Sequence, residues 1–134
     1  MRIIYKDTQE FRPEELQELF LSVAWSSAEF PERLVCAMNN SGSVFSAWDG
    51  EHLIGLINAL DDGDMTAYVH FLLVNPKYQQ LGIGRKLVSL VKERYVGYLR
   101  IVLVGYDKKM RFYQECGFEP STDSVPLFIT TLNT

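Results

Sequence analysis

The sequence predicts an α/β domain built around one mixed sheet, and three observations carry that expectation. Residues 44–48, 52–60 and 66–74 are β-rich and are separated by two short turns, the pattern of an antiparallel meander. Residues 82–95 form an amphipathic helical segment between two apolar strands, which predicts a β-α-β unit with parallel strands and a right-handed crossover. Ahead of both, residues 13–23 carry apolar side chains at helical spacing. Read along the chain, the element order is β-α-α-β-β-β-α-β-α-β.

Residues 3–5 open with a short strand. Pro13, Glu14 and Glu15 then start a helix whose inward face is Leu16, Leu19, Phe20 and Val23. A shorter helix is expected over 31–38, ended by Asn39-Asn40-Ser41-Gly42, which leaves 25–30 as an exposed connection. Asp49-Gly50 accepts the positive φ angles of a tight hairpin between 44–48 and 52–60. Asp61-Asp62-Gly63-Asp64 makes a second turn into TAYVHFLLV (66–74), which is apolar on both faces and reads as a central strand. The following helix places Ile83, Leu87, Leu90 and Val91 inward and Arg85, Lys86, Lys92 and Glu93 outward, and 99–104 is the next strand. Asp107 is expected to cap a helix running to Cys116, Gly117 to end it, and 126–132 to form a last strand.

With 134 residues, at roughly 150 per domain, the chain is expected to be a single domain over 1–134. The net charge of −4 disfavours a polyanionic partner, because neutralising phosphates takes clustered cations, so no nucleic acid is expected. Cys36 and Cys116 have neither disulfide-scaffold nor metal spacing and read as small buried hydrophobes. Asp61, Asp62 and Asp64 read as a solvated turn, so no metal is expected. The N-terminal residues lack the apolar core of a signal peptide and no apolar run is long enough to span a bilayer. The expectation is a cytoplasmic protein with no membrane partner.

Chemistry is concentrated in Gln79-Gln80-Leu81-Gly82-Ile83-Gly84, between the central strand and the amphipathic helix. Backbone N–H groups at such a helix start, unobstructed by side chains, suit a pyrophosphate, and Arg85 and Lys86 add cations. Two glycines in this spacing serve equally to relieve a tight strand-to-helix turn. The loop is neither a P-loop nor a first Rossmann turn, since it lacks the lysine of the former and follows antiparallel hairpins.

The segment Val74-Asn75-Pro76-Lys77-Tyr78-Gln79-Gln80-Leu81-Gly82-Ile83-Gly84-Arg85-Lys86-Leu87 resembles motif A of the GNAT N-acetyltransferase superfamily, whose pattern is Arg/Gln-x-x-Gly-x-Gly/Ala. Phe112-Tyr113-Gln114-Glu115-Cys116-Gly117-Phe118 resembles the family's motif B. The resemblance covers residues 44–118, and the helices before it fall in the family's variable acceptor-binding region. It implies a mixed central sheet whose parallel central strands splay apart, with acetyl-coenzyme A (acetyl-CoA) as cosubstrate. Backbone groups of Leu72, Leu73 and Val74 would then pair with the pantetheine arm, and Gln79, Gln80, Gly82, Ile83, Gly84 and Arg85 would surround the pyrophosphate.

By the same resemblance Tyr113 is the acid that protonates the departing thiolate, a role its neutral-pH protonation state allows. Two roles fit His70: a base acting through water, which some family members place on this strand, or a hydrogen-bonded core histidine. Strict alternation puts Tyr68, His70 and Leu72 on one face. His52, beside a turn, reads as surface. Many relatives carry an asparagine seven residues before the motif B tyrosine, where this chain has Tyr106; either its hydroxyl substitutes or backbone alone holds the pantetheine. Lys109 likewise replaces a usual small residue. The implied activity is acetyl transfer from acetyl-CoA to a primary amine of a small molecule or peptide, by a monomer or homodimer. The alternative is a module that binds or senses acyl-CoA without turnover.

Overall fold

Pro13 has its φ preset for a first helical turn, and the Glu15 carboxylate reaches back to accept the Arg12 backbone N–H at 2.8 Å. Helix α1 (Pro13–Ser22) starts there and buries Leu16, Leu19 and Phe20. The computed structural model describes residues 2–133. Around α1 it sets β1 (Ile3–Lys6), α2 (Pro31–Asn39), β2 (Ser43–Asp49), β3 (His52–Asp61), β4 (Thr66–Val74), α3 (Ile83–Arg94), β5 (Arg100–Leu103) and α4 (Met110–Glu115). The sheet runs in chain order, β1-β2-β3-β4-β5; every pairing is antiparallel except the β4–β5 pair.

Helices cover both faces. On one, Leu16, Leu19, Phe20, Leu34 and Met38 pack on Val44, Trp48, Leu53, Leu56, Phe71 and Leu73. On the other, Ile83, Leu87, Val88, Val91 and Tyr95 pack on Ala47, Ile54, Ile57, Ala59, Ala67 and Val69. Val88 is fully buried, while Leu90, expected inward, is only half-buried. At the end of α3 the Tyr95 hydroxyl shares hydrogen bonds with Ser43 Oγ and Asp61 Oδ2, both at 2.8 Å, and burial pushes its pKa up to about 12. Asp61 therefore faces inward from the acidic turn. Asp62 organises the turn instead: its Oδ1 accepts the N–H groups of Asp64, Met65 and Thr66.

Four further expectations change. Residues 25–30 are not an exposed connection: Ser26–Glu29 forms a 3-10 turn with Ser27 and Ala28 buried, because the Trp25 ring packs 6.0 Å from both Phe20 and Phe71. Cys36 is exposed on the outer side of α2, whereas Cys116 is buried. Asp107 does not cap α4 but begins a 3-10 turn, Asp107–Lys109, ahead of it; Gly117 ends the helix at φ 101°. Residues 126–132 are not a strand. Their β-propensity has no ladder to join, since no backbone hydrogen bond ties 119–133 to another described main-chain group.

Candidate active site

The site begins with one residue too many in β4. Ala59 pairs with Val69 and Asn58 with Phe71, so His70 has no partner on β3 and the strand bulges there. Asn58, with none of its surface exposed, fills the gap: its Oδ1 accepts the Phe71 N–H at 2.9 Å and its Nδ2 donates to Ser41 Oγ at 3.1 Å. The bulge reverses the alternation of the strand. Ala67 and Val69 pack toward α3, yet Phe71 and Leu73 pack toward α1. Leu72 and Val74 now belong to the α3 side, so the common face expected for Tyr68, His70 and Leu72 does not exist. The His70 ring instead stacks on Phe71, with centroids 3.9 Å apart, and lies 6.0 Å from the Tyr68 ring.

Parallel pairing with β5 stops at the same place. Its last pair is Val69 with Leu103, while Leu72, Leu73 and Val74 continue to pair with Ile57, Leu56 and Gly55 of β3. Beyond the bulge, β4 therefore keeps one strand neighbour and presents its other backbone edge to a wedge between the parallel strands.

Past the end of β4, the Asn75 N–H donates to the Ile54 carbonyl at 2.8 Å, and the Tyr78 hydroxyl donates to Asp49 at 2.7 Å, which pins the loop to the β2–β3 hairpin. Gln80 and Gly82 both adopt left-handed backbone, at φ 65° and 80°. Gly82 caps α3, and the helix's first ladder bond runs from the Lys86 N–H to the Gly82 carbonyl at 3.0 Å. The N–H groups of Ile83, Gly84 and Arg85 thus precede the ladder and point out of the helix start. Gly84 is needed for packing, because a Cβ there would sit 3.3 Å from the Phe112 ring. Gln79 reaches back to the Val74 carbonyl at 3.4 Å. Arg85 pairs with Glu115 of α4 at 2.9 Å; that guanidinium, with Arg111, holds the Glu115 carboxyl below its ordinary range.

Tyr113 of α4 is half-buried between the edges of Phe112 and Phe118. Burial, followed by the neighbouring Cys116 and Tyr106, raises its pKa above 10.0. Gly105 makes room for this ring: a Cβ there would lie 2.6 Å from Tyr113 Cε2. Tyr106 and Lys109 are exposed beside it. His70 is exposed at its outer edge, but burial of the ring against Phe71 lowers its pKa below 6.5. His52 is on the surface, 3.1 Å from Glu18. Of the residues singled out in the sequence, Leu72 to Val74 line the wedge and Gln79 to Arg85 close one end of it. Asn58 and Gly105 were missed. An asparagine inside the apolar run HLIGLINAL was the available signal for the first, and nothing in the pattern marked the second.

A mixed sheet whose parallel pairing ends at Val69, followed by a glycine-bearing helix start, is the architecture of the GNAT acetyltransferase fold. The chain belongs to the acetyltransferase (GNAT) family, whose profile matches residues 4–118. Among its relatives is an uncharacterized ycf52-like N-acetyltransferase of Prochlorococcus marinus, 30% identical over 110 residues that cover 78% of this chain and 61% of the relative. A histone acetyltransferase of Glycine max is 27% identical over 139 residues, covering 92% of this chain and 59% of that protein. The chain thus spans about three fifths of the length of these curated relatives. A GNAT family acetyltransferase from Streptococcus pneumoniae superposes with a TM-score of 0.84 at 27% identity, covering 97% of this chain and 98% of the other. A probable acetyltransferase from Staphylococcus aureus shares the fold, with a TM-score of 0.87 at 17% identity over 96% and 99% of the two chains.

Proposed function

We propose that the chain transfers an acetyl group from acetyl-CoA to a primary amine of a small molecule or peptide. The observation that carries this reading is the wedge: β4 leaves β5 at His70, so the backbone of Leu72 to Val74 meets no strand on that side, where the Gln79 side chain alone reaches the Val74 carbonyl, and it leads to the N–H groups that open α3. An extended pantetheine arm supplies strand-like hydrogen-bonding partners for the first, and a pyrophosphate supplies charge for the second. The residues present fit that cosubstrate. A Cβ at Gly82 would meet no atom within 4 Å, so the helix start is approachable, and Arg85 in its first turn is tied to Glu115 of α4. Gln79, Gln80, Ile83 and Gly84 complete the pyrophosphate cradle, and Tyr106 lies at the pantetheine side.

A lysine-like amine must shed a proton before it attacks, which near pH 7.4 costs about 4 kcal/mol. His70, kept neutral by its packing on Phe71, accepts that proton through water. The amine nitrogen bonds to the thioester carbonyl carbon, the C–S bond breaks, Tyr113 gives its phenolic proton to the leaving thiolate, and the second proton shed by the nitrogen as the amide forms returns through water to restore the Tyr113 phenol. Its raised pKa keeps that proton in place until then. The reading extends to a single domain acting in the cytoplasm without a nucleic-acid or membrane partner. The net charge of −4 supports the lack of a polyanionic partner, and among the described residues no helix is long and apolar enough to cross a membrane.

The test is thermal unfolding with and without acetyl-CoA, followed by thiol release against a panel of amines and amine-bearing peptides. Acetyl-CoA at a hundred times its Kd should stabilise by about 2.7 kcal/mol. A shift with amine-dependent release supports the enzyme, a shift without release supports an acyl-CoA sensor, and no shift removes the coenzyme assignment.

A further inference from the structure

The cations of this chain are not spread evenly. Residues 77–118 hold nine of the thirteen Lys and Arg side chains but three of the seventeen Asp and Glu, a net charge of +6 within a chain whose total is −4. The cradle at the start of α3 uses only part of that charge. At the junction of α3 and α4, Glu115 accepts from Arg85 Nη2 on one carboxylate oxygen, at 2.9 Å, and from Arg111 Nε on the other, at 3.3 Å. One carboxylate thus holds two guanidiniums side by side. Each gives it one of five N–H donors, and neither makes another hydrogen bond among the described residues. The cluster keeps a charge of +1 and faces water, with the Arg111 side chain 92% exposed. Lys108 and Lys109 are exposed in the turn that leads into α4. Phe112 holds this end of α4 against the start of α3: its ring lies 3.3 Å from the place of a Cβ on Gly84, and the Arg85 guanidinium sits 5.9 Å from the ring centroid.

We infer that Arg85 and Arg111 seat the 3′-phosphate of acetyl-CoA, and that Glu115 is an internal stand-in for that phosphate which must yield to it. The inference rests on the acetyl-CoA reading and deepens it. Acetyl-CoA carries its pyrophosphate and a phosphate monoester on the same ribose, so a second anion belongs one sugar away from the cradle. Arg85 reaches both places, since it follows Ile83 and Gly84 of the cradle and is bridged to Arg111. A phosphate monoester brings a charge of about −1.5 to −2 and three acceptor oxygens, where Glu115 brings one charge and two oxygens. It therefore meets guanidinium donors that the carboxylate leaves unused, in the planar geometry that suits arginine. Glu115 competes for the same donors, so a ligand without the 3′-phosphate gains nothing from the pair.

The experiment is calorimetry of the full chain with CoA and with 3′-dephospho-CoA, neither of which can turn over. The wild type should bind CoA at least about tenfold more tightly, and added salt should narrow that ratio. Arg111→Gln, at an exposed position, should bring the CoA affinity to within about twofold of the dephospho-CoA value and leave the latter unchanged. Glu115→Gln frees both guanidiniums and should widen the ratio; thermal melts of both variants check that they are folded. Equal wild-type affinities, or a preference that survives Arg111→Gln, would overturn the inference while leaving the acetyl-CoA reading in place. A ratio that narrows in Glu115→Gln would end the competing role of that carboxylate, and binding of neither ligand would remove the reading and the inference together.

Discussion

Replacing Asn58 with leucine tests the device that shapes the site. The side chain is fully buried and makes two hydrogen bonds, to the Phe71 N–H at 2.9 Å and to Ser41 Oγ at 3.1 Å. Leucine keeps the volume and removes both. Ser41 Oγ loses little, because it still donates to the Ala37 carbonyl at 2.7 Å. The Phe71 N–H has no other acceptor among its hydrogen bonds on the β3 side, and burying it unpaired costs about 1–3 kcal/mol. With the second bond the total comes to about 2–3 kcal/mol, a fall in Tm on the order of 10 °C for a chain of this size. A bulge without its acceptor also releases the register of Leu72 to Val74, so affinity for acetyl-CoA should drop at least tenfold. Scanning fluorimetry with and without acetyl-CoA reads both effects. Ser41→Ala removes the hydroxyl that accepts from Asn58 Nδ2 and donates to the Ala37 carbonyl, so it should cost about 1–3 kcal/mol, but it keeps the Asn58–Phe71 bond and should leave the acetyl-CoA shift intact. An Asn58→Leu protein that melts within about a degree of wild type, with the same acetyl-CoA shift, would refute the reasoning.

Gly105→Ala drives a Cβ to 2.6 Å from the Tyr113 ring, and the ring must move about 1 Å; turnover should fall on the order of 100-fold and stability by about 1–3 kcal/mol. Unchanged steady-state thiol release would show that the ring position is irrelevant to the reaction. Tyr113→Phe keeps the ring and removes the proton, so acetyl-CoA binding by calorimetry should persist while kcat drops about 100-fold or more; equal turnover would end its role as acid. Gly82→Glu places a carboxylate, and a left-handed backbone strain of about 1–2 kcal/mol, at the start of α3 and should abolish the acetyl-CoA thermal shift. For His70, whose folded pKa lies below its ordinary 6.5, the ring is neutral at pH 7 and activity should decline only as pH falls through that lower value. The unfolded ring protonates first, so stability also declines as pH falls below 6.5. His70→Gln should flatten both acidic limbs, and an unaltered pH–rate profile would leave the ring a packing role on Phe71.

What could be read from the sequence was what depends on neighbours along the chain. Helix α1 follows from the spacing of Leu16, Leu19 and Phe20, the β2–β3 hairpin from Asp49-Gly50, and the α3 start from Gly82, whose φ of 80° needs a glycine or a strained substitute. What could not be read depends on groups that meet only in space. The burial of Ala28 needs the Trp25 ring to fold back on Phe20 and Phe71. Gly105 matters only because α4 brings Tyr113 over it. Residues 126–132 have the composition of a strand, but composition does not supply the edge on which a strand is laid.

The bulge explains why periodicity misassigned one face of β4 while still recognising the strand as central. TAYVHFLLV is apolar on both faces, so a shift of register by one residue leaves apolar side chains in both cores, and the pattern cannot show where the shift falls. Val69 and Phe71, two residues apart, serve opposite cores only because His70 is left unpaired between them. The same extra residue sets the His70 ring against Phe71 and coincides with the last pair between β4 and β5. The placement of the His70 ring, the wedge and the face reversal thus meet at one feature, the buried amide of Asn58 standing in for a missing rung of the β3–β4 ladder. A polar side chain is retained in an apolar strand here because only an acceptor at that point lets the ladder skip a residue without leaving a buried N–H unpaired.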